Sequence, residues 1–198
     1  MFILYLLLII ASYFIGAIPS GVVLAKAFSS KDIRQEGSGN IGATNVTRVL
    51  GKKFGAVTLA GDLLKGFLPV FVGSYLVSSL SVVCLMGLAA FLGHLFPVYL
   101  RLKGGKGVAT ALGVFLYFAP SVILVEIVIF VAVVGIWKYV SLGSLIAAVA
   151  LPLLLLLFAK KPVVLLSIAF ALLIFIKHKA NIQRLLNGTE NKFGAKKE

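Results

Sequence analysis

A single cysteine, a single tryptophan, two methionines and only six acidic residues are spread over the 198 residues of this chain. With Cys84 alone no internal disulfide can form, and its place inside an apolar run marks it as a small buried hydrophobe. Charged residues make up 13%, against about 25% in a typical soluble domain, which excludes the soluble globular class. No linker or low-complexity stretch divides the chain, so one domain over residues 1–198 is expected, and no internal repeat of the kind that builds many transporters is apparent. The first ten residues, MFILYLLLII, lack the positive n-region of a cleavable signal peptide and predict a retained first span.

What is there instead is apolar. Hydrophobic residues make up 61%, and runs of about 20 recur from end to end, the signature of an all-α, polytopic integral membrane protein. Clear runs cover 2–25, 54–76, 79–99, 141–159 and 162–177. As one helix, 107–137 would reach roughly 46 Å, beyond a hydrocarbon core of about 30 Å. Pro120 divides it into 107–119 and 120–137, which gives seven transmembrane helices. With the N-terminus outside, sixteen of the Lys and Arg residues between spans fall on one side and two on the other, whereas six spans would strand the basic tail outside. The positive-inside rule therefore predicts seven spans and a cytoplasmic C-terminus. The net charge of +13 reads as this topology signal and as a surface for anionic lipid or anionic substrate, with no pattern for nucleic acid.

Inside the spans, Asp62 and Lys65 lie three residues apart on one helix face. An unpaired charge at such depth costs about 2.5–3.5 kcal/mol, so they read either as a structural ion pair or as the floor of a polar site, with Lys65 reaching an anion. Glu126 has no partner near in sequence and reads as protonated or packed. Ser12, Gly16 and Ser20 form a small-residue stripe suited to helix packing.

Three polar segments interrupt the apolar chain, all on the predicted cytoplasmic side. SGNIGATNVTR, 38–48, supplies Ser38, Asn40, Thr44, Asn45 and Arg48 among glycines. Glycine lets the backbone turn tightly and present bare N–H groups, Asn and Thr add neutral hydrogen-bonding groups, and Arg48 offers a fork for phosphate or carboxylate. KGGKGVAT, 103–110, sets Gly104, Gly105, Lys106 and Gly107 at the start of a helix, where N–H groups and a full charge suit a phosphate. It is not a Walker A loop, since the G-x-x-x-x-G-K-[ST] spacing is absent. HKANIQRLLNGTE, 178–190, places His178 and Asn181 on one helical face with Arg184 beyond, and histidine can exchange protons near neutrality. His94 stands at the end of the third span, either packing there or supporting the site from behind.

SGNIGATNVTR, GHLFPVYLRLKGGKGVAT (93–110) and HKANIQRLLNGTE, in this order between hydrophobic spans, resemble the three signature motifs of the bacterial acyl-phosphate-dependent glycerol-3-phosphate acyltransferase family. The resemblance implies a seven-span inner-membrane enzyme. It would move a fatty acyl chain from acyl phosphate to the sn-1 hydroxyl of glycerol 3-phosphate, giving lysophosphatidic acid and phosphate as the first step of phospholipid synthesis. No cofactor, metal or obligate protein partner is implied beyond the two substrates and the bilayer. The resemblance gives Lys106 and the 104–107 backbone to glycerol 3-phosphate. Ser38, Arg48, His178 and Asn181 are the candidates for chemistry, and Asn40, Thr44, Asn45 and Lys65 for substrate binding. The soluble-type signature H-x-x-x-x-D is absent after both histidines. A transporter or channel for an anionic phosphorylated solute would use similar cationic elements, but it would need polar groups on the other face, and the loops near 77 and 120 are nearly charge-free.

Single cysteines placed in a Cys84→Ser background test the topology. Positions in 26–53, 101–106 and the tail after Lys177 should label from the cytoplasmic side and positions near 77 and 120 from the other; cytoplasmic labelling at 120 would end the seven-span reading.

Overall fold

The computed structural model describes residues 1–194, and every regular element among them is helical. The chain forms two compact units, 1–117 and 118 onward.

The first unit opens with α1 (Phe2–Ala17) and α2 (Ser20–Phe28), which the expected single run 2–25 joins and the structure bends by 43°. Pro19 causes the break. It has no N–H to give, and it pushes Ile18 before it to an extended ψ of 116°. α3 (Ala43–Leu50) and α4 (Lys52–Leu76) meet at Gly51, whose φ of +96° favours glycine. α5 (Leu80–Leu95) continues into a 3-10 turn (Val98–Leu100), and after the glycine-rich loop comes α6 (Val108–Phe118).

The second unit holds α7 (Pro120–Trp137), α8 (Val140–Phe158), α9 (Lys161–Lys177) and α10 (Lys179–Leu186). Pro120 sits in the first turn of α7, where a missing N–H costs nothing, so the division expected there is found. α9 and α10 are bent by 61° at His178.

By length and composition α4, α5 with its 3-10 turn, α7 and α8 are each able to cross a membrane, and counting each bent pair as one span gives up to six. The expected span 107–119 is an 11-residue helix, α6, which reaches only about 16 Å of a core of about 30 Å.

Packing in the first unit follows small residues, because lipid tails are as apolar as leucine and helices gain by close approach. α1 lies on α5: a Cβ on Gly16 would run into the Ala90 carbonyl, and one on Gly93 into the Tyr13 carbonyl. α6 lies on α4 in the same way, with Gly66 against the Thr110 carbonyl and Gly113 against the Leu63 carbonyl. In the second unit α8 packs on both α7 and α9, and α10 reaches α8 and α9. Glu126 of α7 is buried, as expected, and its Oε1 has no hydrogen-bond partner among the described residues.

Gly16→Leu should lower the thermal unfolding midpoint in detergent, at an overpacking cost of about 1–3 kcal/mol. Gly135→Ala meets nothing within 4 Å and should leave the midpoint unchanged or raise it. Equal behaviour of the two variants would refute the backbone approach of α1 and α5.

Candidate functional site

The 33–45 segment is organised around one buried amide. Asn45, 2% exposed, donates through Nδ2 to the carbonyls of Ile33, Glu36 and Asn40 at 2.9, 3.1 and 2.9 Å. Its Oδ1 accepts the Ser38 N–H at 2.7 Å. A polar group away from water needs such partners, so the Asn45 amide is committed to the loop's own backbone. Gly37 and Gly39 have φ of +62° and +68°, and a Cβ on Gly37 would strike the Asn45 Oδ1. Asn40 makes a second local bond, its Oδ1 accepting the Gly42 N–H at 2.9 Å where α3 begins. Ser38 and Arg48 are exposed, and Thr44 is half-buried one helical turn before Arg48. The loop thus offers a hydroxyl and a guanidinium on a backbone that Asn45 holds still.

Apolar packing ties this loop to the next one. Ile33, Ile41 and Val46 join Val22 and Ala25 in a buried cluster, and Leu100 of the 3-10 turn packs on it. From there the chain folds back along the end of α5. The Gly105 N–H donates to the His94 carbonyl at 3.1 Å, satisfying one of the acceptors that a helix leaves open at its C-terminus. A Cβ on Gly104 would meet that carbonyl, and one on Gly105 the His94 Nε2. Gly107 has φ of +86° and lies against the Phe91 ring. The three glycines are therefore demanded by how closely the loop lies on α5. Gly105 and Gly107 are buried, while Lys106 between them is half-buried, just before α6 begins.

Lys65 sits elsewhere in the same unit. Its Nζ lies 2.8 Å from Asp62 Oδ1 and donates to the Ile18 carbonyl at 2.7 Å, so its ammonium serves an ion pair and the α1–α2 break.

In the second unit, His178 is 2% exposed at the α9–α10 bend, with Nδ1 2.8 Å from the Ile174 carbonyl. A carbonyl only accepts, so Nδ1 carries the proton and the lone pair of the neutral ring is on Nε2. Asn181 donates to Glu190 Oε1 at 2.7 Å, Arg184 Nε to Oε2 at 2.7 Å and Ser141 Oγ to Oε1 at 2.9 Å. Glu190 thereby fastens the tail to α10 and to the start of α8. It was not among the residues expected from sequence; the signal available was a lone carboxylate closing a basic, Asn-rich segment. Burial pushes its carboxyl up, but the hydrogen bonds from Asn181, Arg184 and Ser141 and the Arg184 charge outweigh that, and the net direction is down.

A depressed carboxyl stabilises the fold above its unfolded value, about 4.5, and that stabilisation is lost as pH falls through the lower folded value. Glu190→Gln should therefore be less stable than wild type at pH 7, and the two should converge on acidification below about pH 4.5. Thermal unfolding from pH 7 to pH 3 checks this; a constant difference over that range would contradict it.

The glycerol-3-phosphate acyltransferase family model matches residues 6–188. A glycerol-3-phosphate acyltransferase of Geobacter metallireducens is 52% identical over 191 residues, 96% of this chain and 98% of that protein. One of Syntrophotalea carbinolica is 49% identical over 193 residues, 96% of this chain and 98% of that one. Among solved structures, PlsY (YgiH), an integral membrane glycerol 3-phosphate acyltransferase, is similar in its glycerol 3-phosphate form, with TM-score 0.91 and 42% identity over 96% of both chains. Its lysophosphatidic acid form gives TM-score 0.89 at 42% identity, over 96% of this chain and 95% of that one.

Proposed function

This chain belongs to the glycerol-3-phosphate acyltransferase family, and we propose that it transfers a fatty acyl group from acyl phosphate to the sn-1 hydroxyl of glycerol 3-phosphate, releasing lysophosphatidic acid and phosphate. It is a multi-pass membrane acyltransferase. On our reading it acts as one domain, with seven membrane segments and its polar motifs facing the cytoplasm across a bacterial inner membrane. The two substrates and the bilayer suffice as partners, and no cofactor is invoked.

The observation that carries the reading is the half-buried Lys106, held between the buried Gly105 and Gly107 immediately before the N-terminus of α6. That arrangement suits a phosphate, and both substrates carry one. Lys106 and the loop hold the phosphate of glycerol 3-phosphate. Arg48, Ser38, Asn40 and Thr44 position the acyl-phosphate group and offset the negative charge that develops as the carbonyl is attacked. Asn45 contributes through the loop that it holds, and Asn181 through its bond to Glu190, beside His178.

Acyl phosphate is already activated, so no protein nucleophile is needed. The sn-1 oxygen bonds to the carbonyl carbon, the bond from that carbon to the phosphate oxygen breaks, and phosphate departs with its electron pair. The hydroxyl proton passes to His178 Nε2, which the Nδ1–Ile174 bond leaves as the basic nitrogen of the neutral ring, or to a substrate phosphate.

Turnover of acyl phosphate and glycerol 3-phosphate by the purified protein, scored as lysophosphatidic acid, tests the function. Lys106→Ala should raise the glycerol 3-phosphate requirement roughly 10- to 150-fold, the worth of a charge-assisted hydrogen bond. If His178 takes the proton, His178→Ala should lower kcat by about 10²–10⁴ and remove a group titrating near pH 6–7 from the profile. If a substrate phosphate takes it, His178→Asn should keep appreciable activity and the ascending limb. Unchanged kinetics in both the Lys106 and His178 variants would reject this site.

A further inference from the structure

Behind the Gly104–Gly107 loop lies a group of charged side chains that the transfer step does not use. Asp62 and Lys65 pair on α4 at 2.8 Å, with side chains 3% and 5% exposed. Lys65 Nζ also takes the Ile18 carbonyl at the α1–α2 break, and Asp62 Oδ1 lies 3.7 Å from His94 Nδ1. His94 in turn supports the loop twice, through its carbonyl to the Gly105 N–H and through the imidazole edge against the Gly105 Cα. The same stretch of α4 grips α6 on the far side of the loop, where Gly66 meets Thr110 and Leu63 meets Gly113. The elements flanking the loop thus both meet the same stretch of α4, α5 through the His94 imidazole beside Asp62 and α6 through Thr110 and Gly113.

A buried ion pair is weak evidence for a stability role, since apolar residues of similar volume often replace one without loss. Ordering a glycine-rich loop is the costlier matter, because glycine loses more conformational freedom than any other residue. A loop held in place before substrate arrives leaves less of that cost to binding.

We propose that Asp62, Lys65 and His94 form a positioning cluster that fixes the Gly104–Gly107 loop against α5 and the α1–α2 break, and thereby sets the affinity for glycerol 3-phosphate. This rests on the acyltransferase reading for its substrate, though not for its structural content. The cluster acts through the loop and touches no reacting atom.

Two variants of the full chain test it: Asp62→Leu/Lys65→Met, which removes both charges together, and His94→Gln. Each should raise KM for glycerol 3-phosphate about tenfold or more, with KM for acyl phosphate and kcat at saturation changed by less than about threefold. The double variant should unfold no earlier than wild type. Amide hydrogen exchange of the 103–108 segment should be faster in both variants, a readout that needs no turnover. Unchanged glycerol 3-phosphate KM in a folded variant, an equal rise in both KM values, loss of kcat alone, or unchanged exchange would each overturn the proposal. If the double variant does not fold, His94→Gln decides, by the same criteria. A wild-type protein that makes no lysophosphatidic acid rejects the acyltransferase reading alone, and exchange then still decides whether the cluster holds the loop.

Discussion

A charge placed in hydrocarbon has to find its partner inside the protein, and for Asp62 that partner is one helical turn away. The i, i+3 spacing puts Lys65 on the same face of α4, where a spacing of two would point it to another side. The lysine stem is long enough for its ammonium to reach the Ile18 carbonyl as well, an acceptor that the Pro19 break leaves without its helical N–H. The pair lies on the face of α4 that turns inward, toward the α1–α2 break and His94 of α5. Glycine–carbonyl contacts at Gly16, Gly66, Gly93 and Gly113 make those approaches close, since packing rather than water expulsion holds helices together in lipid.

The polar segments obey the same rule on a smaller scale. Each has a buried group that satisfies backbone or side-chain neighbours, and other groups that remain more open. In the first segment Asn45 is the buried organiser, with Ser38 and Arg48 exposed. In the second, the His94 carbonyl holds Gly105 while Lys106 is half-buried. In the third, Glu190 gathers Asn181, Arg184 and Ser141 beside the buried His178. Each organiser has its hydrogen bonds satisfied within the protein, as a buried polar group requires.

The helices were legible in the sequence because apolar runs and prolines act locally: Pro120 divides α6 from α7 as its missing N–H requires. The three polar segments were legible too, since clusters of Asn, Lys and Arg have no packing use in a span. What each polar side chain bonds was not. Asn45 reads as a substrate contact until the fold brings the Ile33 and Glu36 carbonyls to its amide, and Lys65 reads as a possible anion ligand until Ile18 meets its ammonium. Glu190 cannot be read locally because its value depends on Ser141, 49 residues away in sequence. The bend at Pro19 is invisible to hydropathy, which runs straight across a proline.

The fold-back of the second segment also bears on how strongly it can hold an anion. α5 and its 3-10 turn form one apolar stretch to Leu100, yet Gly105 is bonded at His94, six residues before that end. Val98, Tyr99 and Leu102 of the intervening turn are exposed and apolar or amphipathic, the composition of a membrane interface. The loop is therefore recessed behind its own turn. Irregular backbone at such depth is tolerated only when buried in protein or lining a polar cavity, and Gly105 and Gly107 are buried as that demands. A half-buried cation such as Lys106 acts through a lower dielectric than one at the surface, so it attracts any anion that reaches it more strongly than it would on an exposed loop.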